Sequence, residues 1–298
     1  MKTAHALGIM VSLLTALSVA LYLLAQCRNK TPGCPRPLIV CSDWRPPALI
    51  SSPHSQAGAR PNLIYLSYRS AETVPGYIWD QFRTYAPHYD IQFYDDERCL
   101  RSLRPFGESV LRCYQSLTEP AHRCDLWRYC MLYQTGGVYL DIKTILTRPV
   151  SEMFPHPNCL YTVLSIMPET IYQGIIAVPP KHPIIADAIS NFLNDPPQGK
   201  DDYLHATSQL HSLIERYTGM SPQCGWNHGP AAGDIYLFQE KETRHCAQRD
   251  RYNNCELHAC DASGERMCIV RDPYFPYTMC QQLPVPTWIS LHDAGTQR

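Results

Sequence analysis

Asp141 and Lys143 close the stretch Gly136–Thr144 (GGVYLDIKT), a glycine turn that runs into an apolar strand. Two carboxylates one residue apart at a strand end can hold a divalent metal and a ribose hydroxyl, a sensible way to bind a nucleoside diphosphate. Here Lys143 takes the place of the second carboxylate, and its ammonium can itself neutralise phosphate oxygens. Taken alone, the stretch reads either as such a site or as an ordinary charged strand end. Asp125 and Arg128 stand three residues apart in CDLWRYCMLY, so on a helix they project from one face. A bidentate guanidinium and a carboxylate placed that way can fix hydroxyl groups; the plainer alternative is an intrahelical ion pair worth roughly 0.3–0.5 kcal/mol. By residue type alone, Tyr68 reads as a core aromatic and His292 as a solvated histidine.

The elements that must position these residues alternate. Asn62–Tyr68 (NLIYLSY) predicts a strand, Pro75–Ala86 a proline-started helix, and Asp90–Tyr94 (DIQFY) a second strand ending in Asp95 and Asp96. Cys124–Tyr133 predicts a helix with one apolar face, stopped by Thr135-Gly136-Gly137, with a strand at Val138–Ile142 after it. Cys159–Ile166 and Gly174–Val178 read as strands, His182–Leu193 and Tyr203–Tyr217 as helices, and the tail after Cys246 as short strands or loops. Such alternation implies an α/β fold with a mainly parallel sheet, in which ligands bind outside the carboxyl ends of the strands. Asp95, Asp96, Asp141 and Lys143 fall at such ends.

With 26 Lys+Arg against 27 Asp+Glu the chain has no overall field to attract a polyanion, which argues against nucleic acid as a partner. Ala6–Ala25 is an uncharged run of 20 residues, long enough as a helix to cross a bilayer core of about 30 Å. It predicts a membrane anchor after a short tail (1–5), whose rival is a cleaved signal peptide with a poor cleavage site. Lys2 before the run, against Arg28, Lys30 and Arg36 after it, would by a strict charge rule keep the bulk of the chain cytoplasmic. Fourteen cysteines point the other way, to an oxidising compartment and disulfides. A zinc site among Cys246, Cys255, Cys260, Cys268, His245 and His258 is the alternative for the C-terminal cluster. Residues 26–61, rich in Pro and Ser, read as a stem, and residues 62–298 as the folded domain.

Several of these motifs occur together and in order. LIYLSYRS (Leu63–Ser70), VPGYIWDQFRTYAPHYDIQFYDDE (Val74–Glu97) and CDLWRYCMLYQTGGVYLDIKT (Cys124–Thr144) cover about a third of the chain. This block resembles the DXD-containing glycosyltransferases of family 32, the group of the initiating Golgi mannosyltransferase and the sphingolipid mannosyltransferases. Weaker echoes follow in Gln173–Ile189, His228–Tyr236 and Trp288–Gly295. The resemblance implies a Rossmann-like GT-A fold that transfers a sugar from a nucleotide donor with retention of anomeric configuration, using a divalent metal, usually Mn²⁺. It places Tyr68 near the base, Asp125 and Arg128 on donor-sugar hydroxyls, Asp141 on ribose or metal, and His292 as a C-terminal metal or diphosphate ligand.

Lys143 departs from the family pattern and leaves three outcomes open. It replaces the metal's charge, or Asp141 with His292 or Asp293 still holds Mn²⁺, or catalysis is lost. Asp234 is a candidate for acceptor contact. The expectation is thus a type II, single-pass glycosyltransferase of the Golgi or ER membrane with a lumenal catalytic domain. It would use a UDP- or GDP-linked sugar and a glycan, glycolipid or protein acceptor. A catalytically inactive, lectin-like relative is the second reading.

Overall fold

The structure is a computed structural model that describes residues 58–242 and 257–271. The expected anchor at Ala6–Ala25, most of the stem and His292 lie outside the described residues. Among the described residues no helix is long and apolar enough to cross a membrane.

Strand β1 (Leu63–Ser67) leads through helix α1 (Gly76–Tyr85) to β2 (Asp90–Tyr94), which pairs with it in parallel. Helices α2 (Asp96–Ser102), α3 (Glu108–Ser116) and α4 (Pro120–Thr135) carry the chain back to β3 (Gly137–Leu140), parallel to β1 on its other edge. The expected β-α-β start is therefore present. After β4 (Ile145–Leu146) and the single turn α5 (Val150–Met153) come β5 (Leu160–Leu164), β6 (Ile171–Val178), α6 (Pro183–Asn194) and α7 (His205–Thr218). A hairpin of β7 (Gly225–Gly229) and β8 (Gly233–Glu242) follows, then β9 (Leu257–Cys260) and β10 (Arg266–Arg271).

The strand order is β2-β1-β3-β6-β5-β8-β9-β10-β4, with β7 on β8. Only β1–β2, β1–β3 and β5–β8 pair in parallel; the remaining pairs are antiparallel, so the sheet is mixed and not mainly parallel as expected. The reason is connection length. A parallel crossover needs a dozen or more residues, and the link from β5 to β6 spans only Ser165–Thr170, which permits a hairpin alone. β6 thereby enters between β3 and β5 running opposite to both.

Apolar side chains cover both faces of the sheet. On one, Leu126, Trp127, Ile185, Phe192 and Leu210 join α4, α6 and α7 to the strands; on the other, Ile78, Trp79, Phe82, Val150 and Phe154 join α1 and α5. Helix α4 is buried nearly all round, not along one face, because the sheet, α3 and α6 enclose it. The described structure begins before the expected start at Asn62. Arg60 is already buried and donates to the carbonyls of Phe154 and His156.

No disulfide joins the described cysteines, contrary to the density argument. Cys99, Cys124, Cys130, Cys159, Cys224, Cys260 and Cys268 carry free thiols, most of them packed as small apolar groups. Of the proposed zinc cluster only Cys260, Cys268 and His258 are described, and no group of three possible metal ligands converges among the described residues.

Candidate active site

β1, β3, β5 and β8 run in the same direction, so their carboxyl ends share one edge of the sheet, and the amino end of the reversed strand β6 meets them there. A cleft of about 800 Å³ opens at that edge. Its walls are Ser67–Arg69 after β1, Asp141–Lys143 after β3, Ser165–Met167 after β5, Thr170–Gly174 entering β6, and the amino-terminal half of α4. The cleft lies at the strand carboxyl ends, where α/β sheets generally bind ligands, despite the mixed topology.

Local sequence explains how α4 and β3 are held together. Gly136 ends α4 with φ +69°, and a Cβ there would lie 2.7 Å from the Pro180 nitrogen. Gly137 follows with φ +118°, and a Cβ on it would come within 3.1 Å of the Leu63 carbonyl oxygen. Both residues must be glycine for β3 to lie against β1 directly after the helix. The strand then stops at Leu140, two residues before the expected end, because Thr144 donates its N–H to the Asp141 carbonyl at 2.8 Å and closes a turn. Gln81 from α1 clamps the far side of that turn, donating to the Thr144 carbonyl at 3.0 Å and accepting from the Leu146 N–H at 2.7 Å. The turn folds Lys143 back, which sets its Nζ 3.3 Å from Asp141 Oδ2.

Asp141 is the hub. Tyr139 donates its hydroxyl to Oδ1 at 2.8 Å, and Tyr172 places its hydroxyl 3.2 Å from Oδ2 and 3.1 Å from the Val270 carbonyl. The Asp141 N–H donates to the Gly174 carbonyl at 2.7 Å. Burial works against the charge of this carboxyl, but the Lys143 ammonium and then the Arg128 guanidinium outweigh it and hold its pKa below the ordinary value. Gly174 leaves the room this arrangement needs, since a Cβ there would fall 2.1 Å from the Tyr172 hydroxyl and 2.7 Å from Asp141 Oδ2.

Arg128 joins the helix to this hub. Its guanidinium donates to the Gln173 carbonyl at 2.6 Å, pairs with Asp125 Oδ1 at 3.0 Å, stands 4.0 Å from Asp141 Oδ1 and lies over the Tyr139 ring at 4.3 Å. Asp125 and Arg128 form the intrahelical ion pair of the plainer reading, but at 9% and 6% exposure the pair is buried and not solvated. Behind Asp125, His122 Nδ1 stands 3.8 Å from Oδ2 and Nε2 lies 3.1 Å from the Gly199 carbonyl oxygen. The carboxylate raises the imidazole's pKa. Gln173 lines the same cleft at 3% exposure, and neither end of its side-chain amide has a hydrogen-bond partner among the described residues. A buried amide left without partners carries a desolvation cost of roughly 1–3 kcal/mol, and a hydroxyl-bearing ligand in the cleft would remove it.

The structure therefore brings Tyr68, Asp125, Arg128, Asp141 and Lys143 to one cleft. Tyr68 packs on the core and lines the cleft, with the Arg69 guanidinium 5.5 Å over its ring. Asp96 also lines the cleft, whereas Asp95 caps α2 by accepting from the Arg98 N–H at 2.7 Å. Asp234 is elsewhere: it pairs with His228 at 2.7 Å on the exposed β7–β8 hairpin and is not among the residues that line the cleft. His292 lies outside the described residues.

The expected divalent metal does not fit the described donor set. Asp141 supplies one carboxylate, an ammonium stands 3.3 Å from one of its oxygens, and hydroxyls face both. A cation with a coordination distance of about 2.1 Å would be thrust against Lys143 with no second carboxylate beside it.

Residues 76–160 match the family model described as the glycosyltransferase sugar-binding region containing DXD motif. Among curated proteins, inositol phosphoceramide mannosyltransferase 3 of Schizosaccharomyces pombe is 23% identical over 139 residues, which cover 46% of this chain and 38% of that protein. Among solved structures, PaToxG glycosyltransferase superposes with a TM-score of 0.40 at 16% identity, covering 53% of this chain and 69% of that one. A glycosyltransferase involved in the glycosylation of the major capsid of PBCV-1 gives 0.34 at 14% identity, covering 59% and 80%.

Proposed function

We propose that this chain, which carries the DXD-type glycosyltransferase sugar-binding region, transfers a sugar from a nucleotide-sugar donor with retention at the anomeric carbon. The observation that carries the reading is the convergence of Asp125, Arg128, Asp141 and the partnerless amide of Gln173 in one cleft at the carboxyl edge of the sheet. Buried charge and an unsatisfied amide together form a surface suited to a polyhydroxylated ligand. Tyr68 at the mouth takes the base, Lys143 faces the diphosphate, and Asp125 with Arg128 orients the sugar.

Transfer breaks the bond between the anomeric carbon and the diphosphate oxygen, which leaves with the electron pair. The acceptor hydroxyl forms the new bond from the same face, and its proton passes to the departing phosphate oxygen. The protein's part is to hold the donor and balance the charge that develops on that oxygen. The acceptor is a glycan, glycolipid or protein. The apolar run Ala6–Ala25 supports a single-pass membrane anchor, while the Golgi or ER location with a lumenal cleft rests on the family resemblance and the fourteen cysteines.

Incubating the full chain with a panel of UDP- and GDP-linked sugars, with no acceptor added, tests this reading by the free sugar released to water. One donor is expected to be hydrolysed with release of the α-anomer from an α-linked sugar, and Asp125→Asn should lower that rate roughly 10- to 100-fold, the weight of a hydrogen bond to a charged group. Binding of a nucleotide sugar with no release, alone or with acceptors, would favour the lectin-like reading, for which the departure at Lys143 is the specific support.

A further inference from the structure

We infer that the cleft binds the diphosphate of its nucleotide ligand without a divalent metal, with the Lys143 ammonium supplying the charge a metal would bring. The inference rests on the donor reading above and concerns the same site. A carboxylate that holds a divalent cation presents one net positive charge to a diphosphate, and a lysine in the position of that carboxylate presents the same net charge by itself. Exchange of the second acidic residue for lysine therefore conserves the electrostatics of the site while removing the metal's ligand.

The geometry around Lys143 supports this. Its Nζ sits 3.3 Å from Asp141 Oδ2 on the cleft wall, fixed there by the turn that Thr144 closes and Gln81 clamps. Asp141 in turn is engaged by Tyr139 and Tyr172, so its oxygens serve to orient the lysine and the two hydroxyls and are not displayed for a cation. Arg69 and Arg123 line the same cleft, and Nε of Arg123 has no partner among the described residues. With Arg128, four cationic side chains thus line a space that also holds the carboxylates of Asp96, Asp125, Asp141, Glu240 and Glu242. Of these acids, Glu240 is occupied, accepting from the Ser165 hydroxyl at 2.8 Å and the Ile166 N–H at 3.1 Å. An ammonium is a point charge that can meet phosphate oxygens from any direction, so no fixed coordination shell is needed.

The test measures binding of UDP and GDP to the full chain by calorimetry, in EDTA and in Mn²⁺. The better-bound nucleotide is expected to show dissociation constants within about twofold in the two conditions. Lys143→Asp should bind at least about tenfold more weakly in EDTA and recover in Mn²⁺, because it recreates the acidic pair; Lys143→Arg should keep metal-free binding. Far- and near-ultraviolet circular dichroism spectra matching wild type at the working temperature show that both variants are folded. Wild-type binding that appears only with Mn²⁺, or metal-free binding by Lys143→Asp equal to wild type, would overturn the inference and leave the donor reading standing. If neither nucleotide binds in either condition, both fall together.

Discussion

Arg128→Met is expected to lower the stability of the protein by about 3–5 kcal/mol, the usual cost of removing one partner from a buried ion pair. The side chain it replaces bonds the Gln173 and Cys124 carbonyls and pairs with Asp125, so methionine fills similar volume while leaving those acceptors and two carboxylates without a cation between them. For a domain of this size a loss of that order moves the melting temperature by roughly 10 °C. The effect is larger than an exposed helical ion pair could give, which is how it separates the buried hub from the plainer sequence reading. Thermal and urea unfolding of the two proteins side by side measure it, and a shift within about 0.5 kcal/mol would show that the pair behaves as a surface one.

Gly136→Ala is expected to be nearly as damaging, at about 3 kcal/mol, through the backbone and not through charge. Two costs add: a side chain at φ +69°, and a Cβ set 2.7 Å from the Pro180 nitrogen and 3.0 Å from the Pro179 carbonyl carbon. Neighbouring atoms of a proline pair cannot swing aside as a flexible side chain does, and the following Lys181 is itself tied by its N–H to the Tyr133 carbonyl at 2.8 Å. Relief must come from moving the α4–β3 junction away from Pro179 and Pro180. Gly219→Ala is the matched comparison, since Gly219 ends α7 with φ +72° and nothing within 4 Å of the added Cβ. It should cost about 1 kcal/mol, the conformational part alone. Equal losses for the two variants would mean that the contact with Pro180 is unimportant.

The same glycine shows how much of the fold could be read beforehand. Gly136 and Gly137 are legible as a helix stop before an apolar strand because glycine at a helix end has a local cause. The β-α-β start at Leu63–Tyr94 is legible for a similar reason, proline and apolar spacing being signals within a few residues. What was hidden depends on distant partners. Strand β6 was expected from Gly174 and starts at Ile171, and its reversed entry beside β3 is set by the short link to β5, which periodicity does not report. Tyr172 and Gln173, which line the cleft, arrive through that entry; Tyr172 carried no signal of its own, and Gln173 only the weak echo that begins at it. The hairpin β7–β8 begins in GWNHG, whose glycines and histidine do not spell a strand, and forms because Ile235 and Leu237 bury against β5. Helices α2 and α3 went unread as well, the first being a short, charged segment defined mainly by its Asp95 cap. Asp125, Arg128 and Asp141 were legible as chemistry by type and spacing, but their separation from an ordinary ion pair required burial, a property of the assembled fold.

Equilibrium binding of nucleotide sugars to the full chain tests the central claim most directly, that the cleft at the sheet edge is a donor site. A panel of UDP- and GDP-linked sugars, each run beside its free monosaccharide and nucleoside diphosphate, should give one nucleotide sugar that binds better than either of its parts. At about 100 times its dissociation constant that ligand should add roughly 2.7 kcal/mol to the unfolding free energy. Competition between the nucleotide sugar and its diphosphate would place both in the same site, as Lys143, Asp125 and Arg128 require. Failure of every donor to bind at millimolar concentration, with the protein folded, would contradict the account.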